Sequence, residues 1–272
     1  MSINFNRNRV QTEYENFLGI TSLDDLKSKK EKFKSHILSE AEVEKLQEAV
    51  KLDALDFFNN AVISFSEGID SIYLNRLSWA TVKLYYSVYY LLRTSMATKK
   101  FALLRNQSMY RLKIKQGEHP FNTGNKKYNS THSGTISHYR DVCNGIDVLL
   151  TNTIEGLDAY EWMEQARDIV NYVDASFRDP ESLNIWDKYR ESLSNGNLSS
   201  LLNAIQNDTE YMYCFQEDYA VVAIPIKRMQ LTIEDMCTCG YLKDIIKSRN
   251  IYYNNILKED KRGLELLSKL HD

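Results

Sequence analysis

The sequence predicts an all-α protein: a helical bundle with a C-terminal helical extension and one minor β element. Three observations carry that prediction. The 272 residues include only 10 Gly and 3 Pro, too few for the tight turns of a sandwich or barrel. Apolar residues return at three- and four-residue spacing in most long segments. Several of those segments also open on capping signals. The pattern divides the chain into an N-terminal helical segment (1–39), the bundle (40–180) and the extension (181–272).

The first long helix opens at "LSEAEVEKL", where Ser39 and Glu42 have the spacing of a capping box. Leu46, Val50, Ala54, Phe57, Phe58 and Ala61 then recur at helical spacing. A break is expected near "SEGIDS" (66–71). The next helix, "SWATVKLYYSVYYLLRTSM" (78–96), sets Trp79, Val82, Tyr86 and Tyr89 on one face, with Leu84, Val88, Leu91, Leu92 and Ser95 filling much of the rest. A helix apolar nearly all round belongs at the centre of a bundle, and tyrosines suit it where each hydroxyl reaches a partner or water.

Residues 99–137 read as a long polar loop with short ordered pieces. A helix is expected from about Gly134. Another over "LDAYEWMEQARDIVNYVDASF" carries Trp162, Ala166, Ile169 and Val173 as its inner stripe. Asp179 as N-cap and Pro180 at the first position start the following helix. "NLSSLLNAIQN" is a short helix, and "YAVVAIPIKRMQLT" (219–232) reads as the β element, held to an edge by Pro225. Thr232 and Asp235 then cap a helix through about 258, and "GLELLSKL" closes the chain.

Composition excludes several classes of function. No apolar run has the form of a signal peptide or reaches membrane-spanning length, so the expected setting is cytoplasmic, with no membrane partner. The four cysteines have no zinc-ribbon or redox spacing and read as reduced thiols. His132 and His138 find no third ligand at convincing spacing, so no metal or other cofactor is expected. There is no Gly-rich phosphate loop, nucleophile elbow or H-E-x-x-H.

Charge is the more telling signal. Between Arg93 and Lys127 stand nine Lys/Arg (93, 99, 100, 105, 111, 113, 115, 126 and 127) against the single acid Glu118, in a chain of net charge −3. Lys99, Lys100, Arg105, Arg111, Lys113, Lys115, Lys126 and Lys127 are thus candidate nucleic-acid contacts, with Phe101, Tyr110, Phe121 and Tyr128 interleaved as stacking rings. Docking onto an acidic protein surface, within the chain or on a partner, is the other reading of the same tract.

Four helices in this order, with "YYSVYYLLR" in the second and "ARDIVNYVDASFRDP" in the fourth, resemble the HEPN superfamily over about 40–180. These are helical-bundle domains of toxins, antiviral defence proteins and nucleotide-associated proteins. The resemblance implies a HEPN-like bundle in an oligomer or with partner subunits, in a prokaryotic antiviral-defence or toxin–antitoxin assembly. Active members are metal-independent ribonucleases that use Arg, a polar residue and His on the fourth helix. Here Arg167 and Asp168 match the first two positions, but Tyr172 stands where His is expected, and no Arg in the chain precedes a His at the family's spacing. Tyrosine, with a reference pKa near 10, is a poor base at neutral pH. Arg167 and Asn171, four apart, are expected to face away from the inner stripe. That face is either plainly solvated or, as in the family, a pairing surface lining a cleft.

The expectation is therefore a HEPN-like subunit that contacts nucleic acid through the basic loop and partner subunits through helical faces. Two alternatives stand beside it. One is a divergent ribonuclease using Arg167 for phosphate, with Asn171, Tyr172 or a loop His for proton transfer. The other is a scaffold with no nucleic-acid role.

Overall fold

A computed structural model of the chain describes residues 8–173, 176–177, 179 and 181–244. In order these form α1 (Arg9–Phe17), α2 (Leu23–Ser28), α3 (Lys30–Ser35), α4 (Glu40–Tyr73), α5 (Leu77–Thr98), β1 (Phe101–Asn106), β2 (Ser108–Lys113) and α6 (His132–Cys143). There follow β3 (Thr153–Ile154), β4 (Leu157–Asp158), α7 (Ala159–Asp168), α8 (Asp187–Ser194), α9 (Leu198–Asn207) and α10 (Glu217–Thr238). The fold is mostly helical, with two small antiparallel sheets, β1–β2 and β3–β4. Pro180 and the expected closing helix at "GLELLSKL" lie outside the described residues. The chain divides into two compact units, residues 1–57 with 92–142, and residues 58–91 with 143–272.

In the first unit the capping box forms as its spacing predicts. The Ser39 amide donates to Glu42 Oε2 at 2.8 Å, and the Glu42 amide donates to Ser39 Oγ at 3.4 Å. Asp53 on α4 receives the amides of Arg9 and Val10 at 2.8 and 3.0 Å, so a side chain distant in sequence satisfies the free start of α1. Tyr14 is fully buried, its ring 5.0 Å from Phe33 and its hydroxyl donating to the Phe33 carbonyl at 2.7 Å.

The segment read as a loop holds a regular hairpin. Phe101 pairs with Lys113, Leu103 with Arg111 and Arg105 with Met109, while Ala102, Leu104 and Asn106 pair on the opposite face with Leu112, Tyr110 and Ser108. Leu104, Asn106, Tyr110 and Leu112 are buried, so this second face is the inner one. The turn rests on Gln107, a non-glycine residue at φ 62°, which is why no turn signal marks it in the sequence.

In the second unit α4 runs straight through "SEGIDS" to Tyr73. Gly68 does not break it. A Cβ there would lie 2.8 Å from Leu84 Cδ2 and 2.9 Å from Leu84 Cγ, so the glycine admits α5 at close range. The chain turns instead at Asn75, φ 53°. Along α5, Leu84, Tyr85, Val88, Tyr89, Leu91 and Leu92 are buried, as the all-round apolar pattern predicts, while Tyr86 and Tyr90 are half-buried. Trp79, expected on the inner face, is 42% exposed and lies 6.0 Å from the ring of Phe177. Asp179 does not cap a helix of its own; its carboxylate takes the Ser78 amide at 2.9 Å, near the start of α5.

The run at 219–232 is helix, not strand. It lies wholly within α10, which carries Pro225 inside it. Every residue from Ala220 to Arg228 is buried apart from solvent on all sides. A short, fully buried apolar run does not distinguish strand from helix by periodicity. Thr232 and Asp235 consequently sit inside the helix, where both meet Arg228: its Nε donates to Thr232 Oγ1 at 3.1 Å and its Nη2 to Asp235 at 3.4 Å. Arg228 Nη1 also donates to Asp147 Oδ2 at 2.9 Å, and that same oxygen accepts from the Tyr160 hydroxyl. The minor β content is therefore the two hairpins and not the segment around Pro225.

Candidate functional site

The two units differ in sign of charge. Residues 1–57 and 92–142 hold 19 Lys/Arg against 13 Asp/Glu, a net of +6, while the rest of the chain holds 15 against 24, a net of −9. Within the positive unit, strand pairing sorts the basic tract. The outer face of β1–β2 carries Phe101, Leu103, Arg105, Arg111 and Lys113, while Met109 on the same side is buried beside Gly134 of α6. Three of the candidate cations thus share one surface because antiparallel partners project to the same side.

A third strand position extends that surface. Phe121 and Arg111 exchange both backbone hydrogen bonds at 2.8 Å, setting the Phe121 ring, 47% exposed, beside Arg111 on the outer face. The Arg111 guanidinium lies 5.4 Å from the Phe121 ring centre, and Lys113 Nζ lies 5.9 Å from that of Phe101. Arg111 is oriented by Asp141 at 2.9 Å, and Arg105 Nη1 donates to Thr131 Oγ1 at 2.9 Å. Lys115 is exposed just beyond β2, and Lys126 and Lys127 are exposed on a short 3₁₀ turn.

The remaining candidates separate from this face. Lys99 and Lys100 are half-buried at the C-terminal end of α5, with Lys100 at φ 63° ending the helix and its carbonyl accepting from the Ile114 amide at 2.8 Å. Cations there suit the helix dipole. Of the four interleaved rings, Phe101 and Phe121 face outward, whereas Tyr110 is buried against Phe33 at 5.6 Å and Tyr128 is half-buried, donating to Asp141 at 3.0 Å.

Near Arg111 sits His138, which the sequence offered only as a metal ligand paired with His132. It is fully buried, both ring nitrogens lack a hydrogen-bond partner, and the Tyr128 ring meets it edge-on at 4.9 Å. Burial first, and then the positive charge of Arg111, lower its pKa to about 4, against a smaller opposing effect of Asp141. His132 is half-buried, and among the described residues no group of His, Cys, Asp and Glu could hold a metal ion.

The second group of candidates lies on α7 in the other unit, and Arg167 is not where its spacing predicts. It is 2% exposed, its guanidinium 4.5 Å from the Tyr85 ring centre and its Nη1 2.7 Å from Asp168 Oδ1. Burial pushes its pKa down, but a hydrogen bond with Tyr85 and the nearby Asp168 outweigh that and raise it. Its Nε is buried without a partner. The width of the buried arc accounts for the difference: Tyr160, Trp162, Met163, Ala166 and Arg167 are buried together. The helix then loosens into a π-helical turn at Ile169–Val173, which shifts residues 169–173 out of the α-helical phase. Val173, expected inside, is 73% exposed, as is Tyr172, while Asn171 is half-buried. Arg167 and Tyr172 do meet, the guanidinium 5.7 Å from the ring centre. A cavity of about 400 Å³ along the same helix is lined by Trp162, Ala166, Ile169, Ile185 and Glu217, and not by Arg167.

No protein-family model matches the chain, and neither a curated protein nor a solved structure matches it. Among the described residues no helix is long and apolar enough to cross a membrane.

Proposed function

We propose that the chain is a HEPN-like helical subunit of a prokaryotic antiviral-defence or toxin–antitoxin assembly that grips nucleic acid through the outer face of its hairpin. The observation that supports this reading is the gathering of Arg105, Arg111 and Lys113 on one side of β1–β2, with Lys115 beside them, in the unit of net positive charge. Fixed cations on a flat strand pair follow a phosphate backbone without needing a specific sequence. Partner subunits would use the exposed apolar side chains of the other unit, such as Trp79, Tyr172 and Phe177.

Catalysis by Arg167, Asn171 and Tyr172 is the weaker reading. A guanidinium whose side chain is 3% exposed must leave Tyr85 before it can touch a phosphate. A scaffold without nucleic acid would turn the same cations toward an acidic protein surface.

The test is a salt titration. Replacing Arg105, Lys113, Lys115, Lys126 and Lys127 with Gln should weaken binding to every sequence alike. It should also flatten log K against log salt by roughly 0.7–0.9 per lost phosphate contact. Unchanged affinity and slope would rule the hairpin out as the contact surface.

A further inference from the structure

Resting on that reading, we infer that the ligand of the hairpin face is single-stranded nucleic acid, with Phe121 as a stacking platform for an unpaired base. An aromatic ring 47% exposed beside a guanidinium offers a flat apolar surface on which a base can stack. Phe121 is also fixed in place. Its backbone is hydrogen-bonded on both sides of the residue to Arg111, and the next residue, Asn122, donates from Nδ2 to the Met109 carbonyl at 2.6 Å. The ring is thus held at the level of Arg111 and does not need ordering when a ligand arrives.

The chemistry beside the ring selects the strand type. Arg111 stands 5.4 Å from the ring centre, and Lys113 and Phe101 repeat the pairing of cation and ring at 5.9 Å across the same face. Cations alone serve a duplex and a single strand alike. Rings add binding only where bases are free of their own stack, because every unpaired base offers a face and a paired one does not. Alternating rings and cations therefore match a strand whose phosphates and bases both reach the surface. Sequence would be read weakly, since stacking tolerates any base.

The experiment compares the full chain against an unpaired oligonucleotide of about 16 nucleotides, the matching duplex, and inorganic polyphosphate, by fluorescence anisotropy and competition at matched salt. The unpaired strand should bind tighter than the duplex. F121A should weaken it about 5- to 150-fold, the range of one lost base stack, while leaving the salt slope and duplex binding unchanged. F121W should restore binding, which separates stacking from any local disturbance of the strand pair; circular dichroism checks that both variants fold. Equal affinity for strand and duplex, or an F121A effect that is the same on both, overturns the single-strand inference and leaves the phosphate reading standing. Failure of all three probes to bind at low salt overturns both.

Discussion

His138 makes the stability of its unit depend on pH in a calculable way. An unfolded histidine titrates near 6.5, whereas the buried ring of His138 titrates at about 4. The fold therefore holds the neutral ring and resists the proton. Above pH 6.5 neither state is protonated and the residue has no pH-linked effect. As pH falls below 6.5 the unfolded chain takes up the proton first, so stability drops until the folded ring also titrates near 4. The full loss is about 3 kcal/mol, and about 2 kcal/mol has gone by pH 5. The groups that face the ring are Arg111 on β2, Asp141 on α6 and Tyr128 on the 3₁₀ turn, and only Asp141 favours the charged form. All three tryptophans, 79, 162 and 186, lie in the other unit, so a local probe is preferred. Hydrogen exchange of α6 amides at pH 7.5 and pH 5, corrected for the intrinsic rates, reads it directly. His138→Phe, which cannot titrate, should lose about 2 kcal/mol less protection across that interval than the natural chain. Equal losses in the two proteins would show that the ring is solvated in the native state and refute the reasoning.

Two further outcomes follow from the other unit. Asp147→Ala removes the partner of buried Arg228 and the acceptor of the Tyr160 hydroxyl, and should cost about 3–5 kcal/mol in urea unfolding followed by tryptophan fluorescence; a loss under about 1 kcal/mol would mean that water reaches the pair. Gly68→Ala sets a methyl against Leu84 and should cost about 1–3 kcal/mol, with much of it recovered in a double mutant carrying Leu84→Ala; additive losses would show that the two helices do not meet there.

What the sequence made legible was the local chemistry of helices. Ser39 and Glu42 cap α4 because the spacing of a capping box fully specifies its geometry. The burial of α5 followed from an apolar surface with no solvent side. The hairpin escaped notice because its turn uses Gln107 where Gly or Asn-Gly would have announced it. The segment around Pro225 misled because a β-rich run buried on every side has no period to read. At the candidate site, the basic tract was visible as charge, but only the register of β1 and β2 shows that Arg105, Arg111 and Lys113 share a face. The burial of Arg167 involves a tyrosine from another helix, and the exposure of Val173 follows a π turn; neither leaves a mark in the local spacing.

The side chain of Gln11 on α1 has a consequence for how this protein survives at high concentration. A two-stranded ribbon presents two edges of unpaired amides and carbonyls, each a template on which another chain can add a strand and begin to aggregate. At Arg105 on β1, Gln11 occupies both groups, its Nε2 donating to the carbonyl at 3.0 Å and its Oε1 accepting from the amide at 2.7 Å. The opposite edge is closed at Arg111 by Phe121. A side-chain amide, with one of its two N–H groups and its oxygen set at the spacing of a peptide group and the other N–H given to Glu15, thus impersonates a neighbouring strand one residue long. It blocks the ribbon's edge from growing at Arg105.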